Sequence, residues 1–220
     1  MVETPRPASS PVARQPKAAS TPVASRPLVY VALGASDAVG VGAAGPEESW
    51  VAQLARKLPS GSRLVNLGIS GIKLHGALND ELPVAVDAQP DLVTIWLAVN
   101  DLNGRVPLEQ YEGDLDTMLT ALTTRTHARI AVANVPDLSL IPAYGGIDRS
   151  LLVGEIDRWN DVILRQTEKH GATLIDLRST WKELAVHPEY VGLDGFHPSA
   201  EGYGRLADLF YAGLREHHLV

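Results

Sequence analysis

The chain has 220 residues, 45% of them apolar, which is enough to bury one sizeable core, so we expect one folded domain. It has no cysteine, which excludes disulfides, thiolate metal ligands and a cysteine nucleophile but leaves the cellular compartment open. Residues 28–220 carry a net charge of −10, and an acidic body repels phosphate backbones. We therefore expect no nucleic-acid partner.

The first 27 residues differ in composition from the rest of the chain. They hold six prolines, five alanines and four serines, and no apolar run that could form a helix or strand. This composition predicts a disordered tail over residues 1–27, followed by the folded domain over residues 28–220. Prolines interrupt every candidate leader segment, and no stretch is long and apolar enough to span a membrane. We expect a cytoplasmic location by default, or export if an upstream segment has been removed.

From Leu28 onward, β-rich apolar runs alternate with segments of helical period. The predicted strands are Leu28–Leu33, Arg63–Leu67, Leu92–Ala98, Arg129–Val135 and Thr173–Leu177. Apolar residues share one helical face in segments around Trp50–Leu58, Leu108–Leu122 and Leu152–Ile163, and residues 200–217 are also predicted helical. This alternation predicts an α/β fold: a flavodoxin-like three-layer α/β/α sandwich around a five-stranded parallel sheet. Ligands of such sheets bind beyond the carboxyl ends of the strands.

The loop after the first predicted strand permits two interpretations. Gly40, Gly42 and Gly45 spell GxGxxG, a pattern that can bind a dinucleotide, whereas Ser36 follows the strand directly and can act as a nucleophile. A dinucleotide site needs a helix that opens within the motif, but here the helix start follows it, at Pro46. The spacing therefore favours the serine, and we expect no nucleotide cofactor.

A serine nucleophile requires a base, a carboxylate that orients the base, and N–H donors for the oxyanion. All three occur near strand ends or in late loops. Gly71 lies in "NLGISG" after the second strand, Asn100 in "WLAVNDLNG" after the third, and Asp194 and His197 in "LDGFHPSAEGYGRL" near the C-terminus.

This set of four blocks resembles the SGNH, or GDSL, family of serine esterases and lipases over essentially the whole chain from residue 28. The resemblance implies that Ser36 is the nucleophile, His197 the general base and Asp194 its orienting carboxylate. It also implies an oxyanion hole formed by the backbone N–H groups of Ser36 and Gly71 and by the side-chain amide of Asn100. The fold, the chemistry and an ester as small-molecule substrate follow from the same resemblance.

Two positions depart from the family pattern. The usual Gly-Asp-Ser reads Gly34-Ala35-Ser36, with an acid one place later at Asp37, which we interpret as a capping or loop acid. The usual Gly-x-Asn-Asp begins with Ala98. Neither change removes a reacting group, but the lost acid predicts a looser loop around Ser36, and the extra methyl predicts a narrower approach to the oxyanion site.

Another histidine imitates the catalytic dipeptide. His187 precedes a proline as His197 does, but the residue three places before it is Leu184, which cannot orient a base. Asp194 and His197 have no further ligands at a recognisable spacing, so we expect no metal. The long loop after the fourth strand carries apolar side chains that line an acyl pocket, form a lid or pack the loop onto the sheet: Leu138, Leu140, Ile141 and Tyr144.

We therefore expect a hydrolase that cleaves carboxylic esters through an acyl-enzyme, of the esterase or lipase type and including deacetylases and thioesterases. The alternative is a degenerate member that has lost catalysis and serves as a small-molecule or carbohydrate binding module. The sequence selects neither the ester nor the oligomeric state.

Overall fold

The computed structural model describes Met1 and residues 26–220. The predicted tail, residues 1–27, therefore lies almost entirely outside the described residues. Its end is an exception, because the Arg26 guanidinium donates to the Asp91 carboxylate at 2.9 Å. The same carboxylate oxygen, Asp91 Oδ2, accepts the backbone N–H of Val29 at 2.8 Å. The Asp91 side chain thus ties the start of the domain to the sheet.

One parallel sheet of five strands forms the centre of the described residues, in the order β2-β1-β3-β4-β5. The strands are β1 (Val29–Gly34), β2 (Arg63–Asn66), β3 (Leu92–Trp96), β4 (Arg129–Ala133) and β5 (Thr173–Ile175). The predicted flavodoxin-like sheet is confirmed. Because β1 lies between β2 and β3, the chain changes direction along the sheet there, which opens a crevice at the carboxyl ends of β1 and β3.

Helices cover both faces of the sheet. They are α1 (Ser36–Val39), α2 (Trp50–Ala55), α3 (Leu74–Asp80), α4 (Leu82–Asp87), α5 (Val99–Asn103), α6 (Leu108–Arg125), α7 (Arg149–His170), α8 (Leu177–Thr180) and α9 (Ala200–Glu216). Helices α2 and α9 pack together on one face, and α3, α4, α6 and α7 pack on the other. No helix among the described residues is both long and apolar enough to cross a lipid bilayer.

The predicted core faces are buried. Trp50 and Leu54 of α2, Tyr111 and Leu115 of α6, and Ile156 of α7 are almost completely inaccessible to solvent. Apolar periodicity identifies these helices correctly because each has one face against the sheet.

Three predicted strands extend two residues too far at their carboxyl ends, and the second extends one residue too far. The third ends at Trp96 and not at Ala98, the fourth at Ala133 and not at Val135, the fifth at Ile175 and not at Leu177, and the second at Asn66 and not at Leu67. Beyond these ends some backbone groups bond to side chains. Val135 N–H, for example, donates to Asn160 Oδ1 at 2.8 Å.

Candidate active site

Ser36 lies at the carboxyl edge of the sheet, in the crevice beside β1. It begins α1, two residues after β1 ends, and its side chain is 8% exposed. The turn is tight: a Cβ at Gly34 would lie 2.8 Å from Ala38 Cβ, so glycine is needed for the strand to pass into the helix. This strand-turn-helix geometry holds the Ser36 hydroxyl at the end of a rigid strand.

His197 and Asp194 meet Ser36 from the other end of the chain. His197 Nε2 lies 2.9 Å from Ser36 Oγ, and His197 Nδ1 lies 2.6 Å from Asp194 Oδ2. Asp194 Oδ1 accepts the backbone N–H groups of Phe196 and His197, both at 2.9 Å. A single turn of chain thus fixes the carboxylate and the imidazole together.

The electrostatics of this turn favour an ionised carboxylate. Partial burial opposes ionisation of Asp194, but the hydrogen bonds from the His197 ring and from two backbone N–H groups outweigh it and lower its pKa. A carboxylate that stays ionised accepts a hydrogen bond from His197 Nδ1–H, which leaves Nε2 free to accept a proton from Ser36 Oγ.

Asn100 enters the crevice from the end of β3. It lies in α5, four residues after Trp96, and its Nδ2 donates to the carbonyl of Ile72 at 2.9 Å. A primary amide has two N–H groups, so one remains for another acceptor. The adjacent Asp101 is buried, and its Oδ2 accepts the Leu74 N–H at 3.0 Å. Asn100 and Asp101 together hold the segment 72–74 against α5.

Gly71 directly precedes this segment. Its φ of +79° is in the left-handed region, which favours glycine. Within residues 26–220, neither the Gly71 N–H nor the Ser36 N–H donates a hydrogen bond to another residue. Ile72, but not Gly71, lines the cavity at Ser36. Two unused backbone donors therefore belong to the loops that border the crevice.

Residues 32–205 match the family described as GDSL-like lipase/acylhydrolase. The chain belongs to this family. The match includes every block of the site described above, from the end of β1 to the start of α9, and it confirms the resemblance seen in the sequence.

Solved structures, two of them of esterases, share the fold of this GDSL-family protein. TesA aligns with a TM-score of 0.69 at 22% identity, covering 87% of this chain and 99% of TesA. The acetyl xylan esterase AlAXEase gives 0.69 at 17% identity, with 85% and 100% coverage. The esterase EstA from Pseudoalteromonas sp. gives 0.68 at 21% identity, with 86% and 97% coverage. Identities this low establish the fold alone.

A curated relative matches a shorter stretch. Leucine-rich repeat-containing protein 43 of Homo sapiens is 33% identical over 107 residues. The match covers 49% of this chain but only 14% of that protein, so the chain spans a small part of its curated relative's length. It therefore assigns neither an activity nor a partner to the GDSL-family domain.

Where the family pattern has an aspartate, this chain has Ala35, and the carboxylate of the nearby Asp37 bonds to the loop around Ser36. Its Oδ1 accepts the Ala35 N–H at 3.3 Å and its Oδ2 accepts Trp50 Nε1 at 2.7 Å, which agrees with its interpretation as a loop acid. Burial raises the pKa of Asp37 to about 6, although the hydrogen bond from Trp50 lowers it. The loop around Ser36 is thus tied to α2 by the acid at position 37.

The glycine loop after α1 packs beside the loop of this GDSL-family protein that carries His197. Gly40 and Gly42 have φ values of +86° and +95°, and the next helical turn begins only at Pro46. The Tyr203 hydroxyl of α9 donates to the Val41 carbonyl at 2.5 Å. The GxGxxG pattern therefore has a packing explanation that requires no nucleotide.

A cavity of about 60 Å³ opens at Ser36 and His197. Of the predicted pocket residues, Leu138 and Ile141 line it together with Ala98. Leu140 is partly buried against the core, and Tyr144 lines a separate cavity of about 530 Å³. The wall also contains three aromatic residues that sequence reasoning missed: Trp96, Trp181 and Phe196. Apolar periodicity marks such residues only as buried, and does not distinguish a cavity wall from a core.

His187 lies outside this arrangement. Its Nδ1 bonds to Glu189 Oε1 at 2.6 Å, and its ring stacks on Tyr190 with centroids 4.8 Å apart. In the part of the chain that the structure describes, no group of three or more His, Asp or Glu side chains is arranged to hold a metal ion.

Proposed function

We propose that this GDSL-family protein is a serine hydrolase that cleaves carboxylic esters through an acyl-enzyme intermediate. One observation carries the proposal: the unbroken chain of hydrogen bonds from Ser36 Oγ through His197 to Asp194. A hydroxyl is a weak nucleophile until a base within hydrogen-bond reach takes its proton, and His197 Nε2 is at that distance.

In the acylation half, Ser36 Oγ attacks the ester carbonyl while its proton passes to His197 Nε2. Asp194 stabilises the imidazolium that forms, because its carboxylate accepts a hydrogen bond from Nδ1–H. The tetrahedral intermediate then collapses. The bond to the alcohol oxygen breaks, and that oxygen leaves with the proton held by His197.

In the deacylation half, water replaces the alcohol. His197 takes one proton from the water as its oxygen attacks the acyl carbon, and the second tetrahedral intermediate expels Ser36 Oγ, which regains its proton from His197. The products are a carboxylic acid and the free enzyme, so His197 ends each turnover in its starting protonation state.

The oxyanion of both intermediates needs donors fixed in advance. We assign this role to the second N–H of Asn100 and to the backbone N–H groups of Ser36 and Gly71. The first N–H of Asn100 is held by Ile72 O, which fixes the orientation of the amide before substrate arrives. Donors that are already oriented stabilise developing charge without a reorganisation cost.

The test combines turnover with covalent labelling. We expect the protein to hydrolyse p-nitrophenyl esters and to bind one equivalent of a fluorophosphonate at Ser36. A phosphonate is a suitable probe because the esterase EstA has a solved structure in a form inhibited by monoethylphosphonate.

Ser36→Ala should abolish both turnover and labelling, whereas the control Ser139→Ala should retain them. Ser139 is a suitable control because its hydroxyl is bonded to Asp137 Oδ1 and has no basic partner. Absence of turnover and labelling in the intact, folded protein would favour the binding-module alternative.

A further inference from the structure

We propose that the ester substrate carries a short acyl group of two to four carbons, and that Ile141 and Trp181 set this limit. The inference rests on the proposed ester hydrolysis and adds the chemical class of the substrate. It comes from the size, the lining and the rigidity of the cavity beside Ser36.

The cavity is small. Its volume of about 60 Å³ corresponds to roughly two to four water molecules, given that one water needs at least about 10–15 Å³ and takes about 30 Å³ in the liquid. An acyl group bound to Ser36 must place its tail there or extend into solvent. An acetyl, propionyl or butyryl tail fits this volume, whereas an octanoyl tail has several carbons too many.

The wall opposite the catalytic histidine is apolar and buried. Trp181 is 2% exposed and Ile141 is 8% exposed, and both line the cavity with Leu97 and Leu138. Apolar side chains match the hydrocarbon tail of an acyl group, since burying each CH₂ there contributes about 0.8 kcal/mol. The ionisable side chains of the lining, Asp37 and His197, lie at the Ser36 end of the cavity and are bonded to Trp50 and Asp194.

The leaving alcohol and the acyl tail lie on different sides of the crevice. His197 must reach the alcohol oxygen to protonate it, and His197 lies on a loop whose Leu193 is fully exposed. We assign the departing alcohol to the solvent side of this loop. The acyl tail is left with the buried side of the crevice, where β3 and the loop after β4 form the wall.

This wall cannot retract without disturbing the core. Trp96 packs edge-on against Trp50 at a centroid distance of 6.1 Å and against Phe210 at 6.3 Å. The Trp181 backbone N–H is held by the Leu177 carbonyl at 3.0 Å, immediately after α8. Closely packed interiors resist such displacements, so a longer chain does not gain room by moving these rings.

The test is the chain-length profile on p-nitrophenyl acetate, butyrate and octanoate, which share one leaving group. We expect kcat/KM to be highest for acetate or butyrate and at least tenfold lower for octanoate, because one extra methylene already changes selectivity by roughly 10–200-fold in a fitted pocket. Ile141→Ala should raise the octanoate-to-acetate ratio at least tenfold by removing part of the wall.

Ile147→Ala is the matched control. It makes the same change in the same loop, but Ile147 is 51% exposed and lines only the separate cavity, so the ratio should stay unchanged. Wild-type octanoate hydrolysis as fast as acetate hydrolysis would overturn the inference while leaving the proposed function intact. Failure to hydrolyse any of the three esters would overturn the proposed function, and the inference with it. If Ile141→Ala does not fold, the wild-type profile alone decides.

Discussion

Gly42 lies so close to His197 that no other residue fits at this position. A methyl group at Gly42 would lie 2.7 Å from His197 Cβ and 2.5 Å from the Pro198 carbonyl oxygen. The glycine loop after α1 therefore forms the surface on which the His197 loop rests. This contact helps to bring His197 within 2.9 Å of Ser36, a residue 161 positions away in the sequence.

Gly42→Ala should therefore impair both catalysis and stability. The φ of +95° strains any side chain by about 1–3 kcal/mol, and the added methyl displaces the His197 loop. Because a 1 Å misplacement of a catalytic group can cost about 100-fold, we expect kcat to fall at least tenfold. Steady-state kinetics and chemical denaturation measure the two effects.

The control for this substitution is Gly61→Ala. Gly61 has a φ of +86°, but no atom lies within 4 Å of its Cβ position. It should lose only the stability that backbone strain costs, about 1–3 kcal/mol, while keeping the wild-type kcat. An equal loss of kcat in both variants would show that backbone strain, and not contact with His197, affects catalysis.

Asn100→Ala should lower kcat by on the order of 100- to 1,000-fold with little change in KM, because an oxyanion donor acts on the transition state and not on uniform binding. Asn103→Ala is the control in the same helix. Its Oδ1 accepts the Tyr144 hydroxyl at 2.9 Å beside the other cavity, so kcat should change little. An unchanged kcat in folded Asn100→Ala protein would contradict the oxyanion role.

His197→Ala should reduce ester hydrolysis to background, because no other base reaches Ser36 Oγ among the residues that the structure describes. His187→Ala should retain most of the activity, since His187 pairs with Glu189 and takes no part in the chain of hydrogen bonds at Ser36. The two variants are compared at equal concentrations of folded protein. The opposite pattern would transfer the role of base to His187.

Glu81 predicts a pH dependence of stability. Its buried carboxyl accepts the Gly34 N–H at 3.2 Å, and burial raises its pKa to about 8. As the pH rises above 4.5, the ordinary pKa of a glutamate, the unfolded chain loses the Glu81 proton while the folded protein keeps it. The contribution of Glu81 to stability is thus complete below pH 4.5 and is lost as the pH rises to about 8.

Glu81→Gln cannot ionise, so its stability relative to wild type should increase between pH 5 and pH 8 by on the order of 1–3 kcal/mol. Chemical denaturation of both proteins at several pH values gives this difference, in which the contributions of other groups cancel. A difference that stays constant with pH would place the titration of Glu81 outside this range.

Local patterns determined much of this protein. Short apolar runs indicated the strands, because a central strand of a covered sheet buries both of its faces. Period-3.6 apolar repeats indicated the main helices, because each helix buries one face against the sheet. The spacing of Asp194 and His197 indicated their pairing, because three residues of a turn bring a carboxylate and an imidazole together. The order of the four blocks, with Ser36, Gly71 and Asn100 after successive strands, indicated a common edge because parallel strands end on the same side.

Only the tertiary structure decided what depends on contacts between distant segments. The sequence marked Trp96 and Trp181 as buried, but their place in the cavity wall follows from how β3, α8 and the loop after β4 converge. The tertiary structure also places Ile141 in the cavity beside Ser36 and Tyr144, only three residues later, in another cavity. Periodicity records whether a side chain is buried. Which surface buries it depends on the packing of the whole chain, and this packing sets the volume left for a substrate.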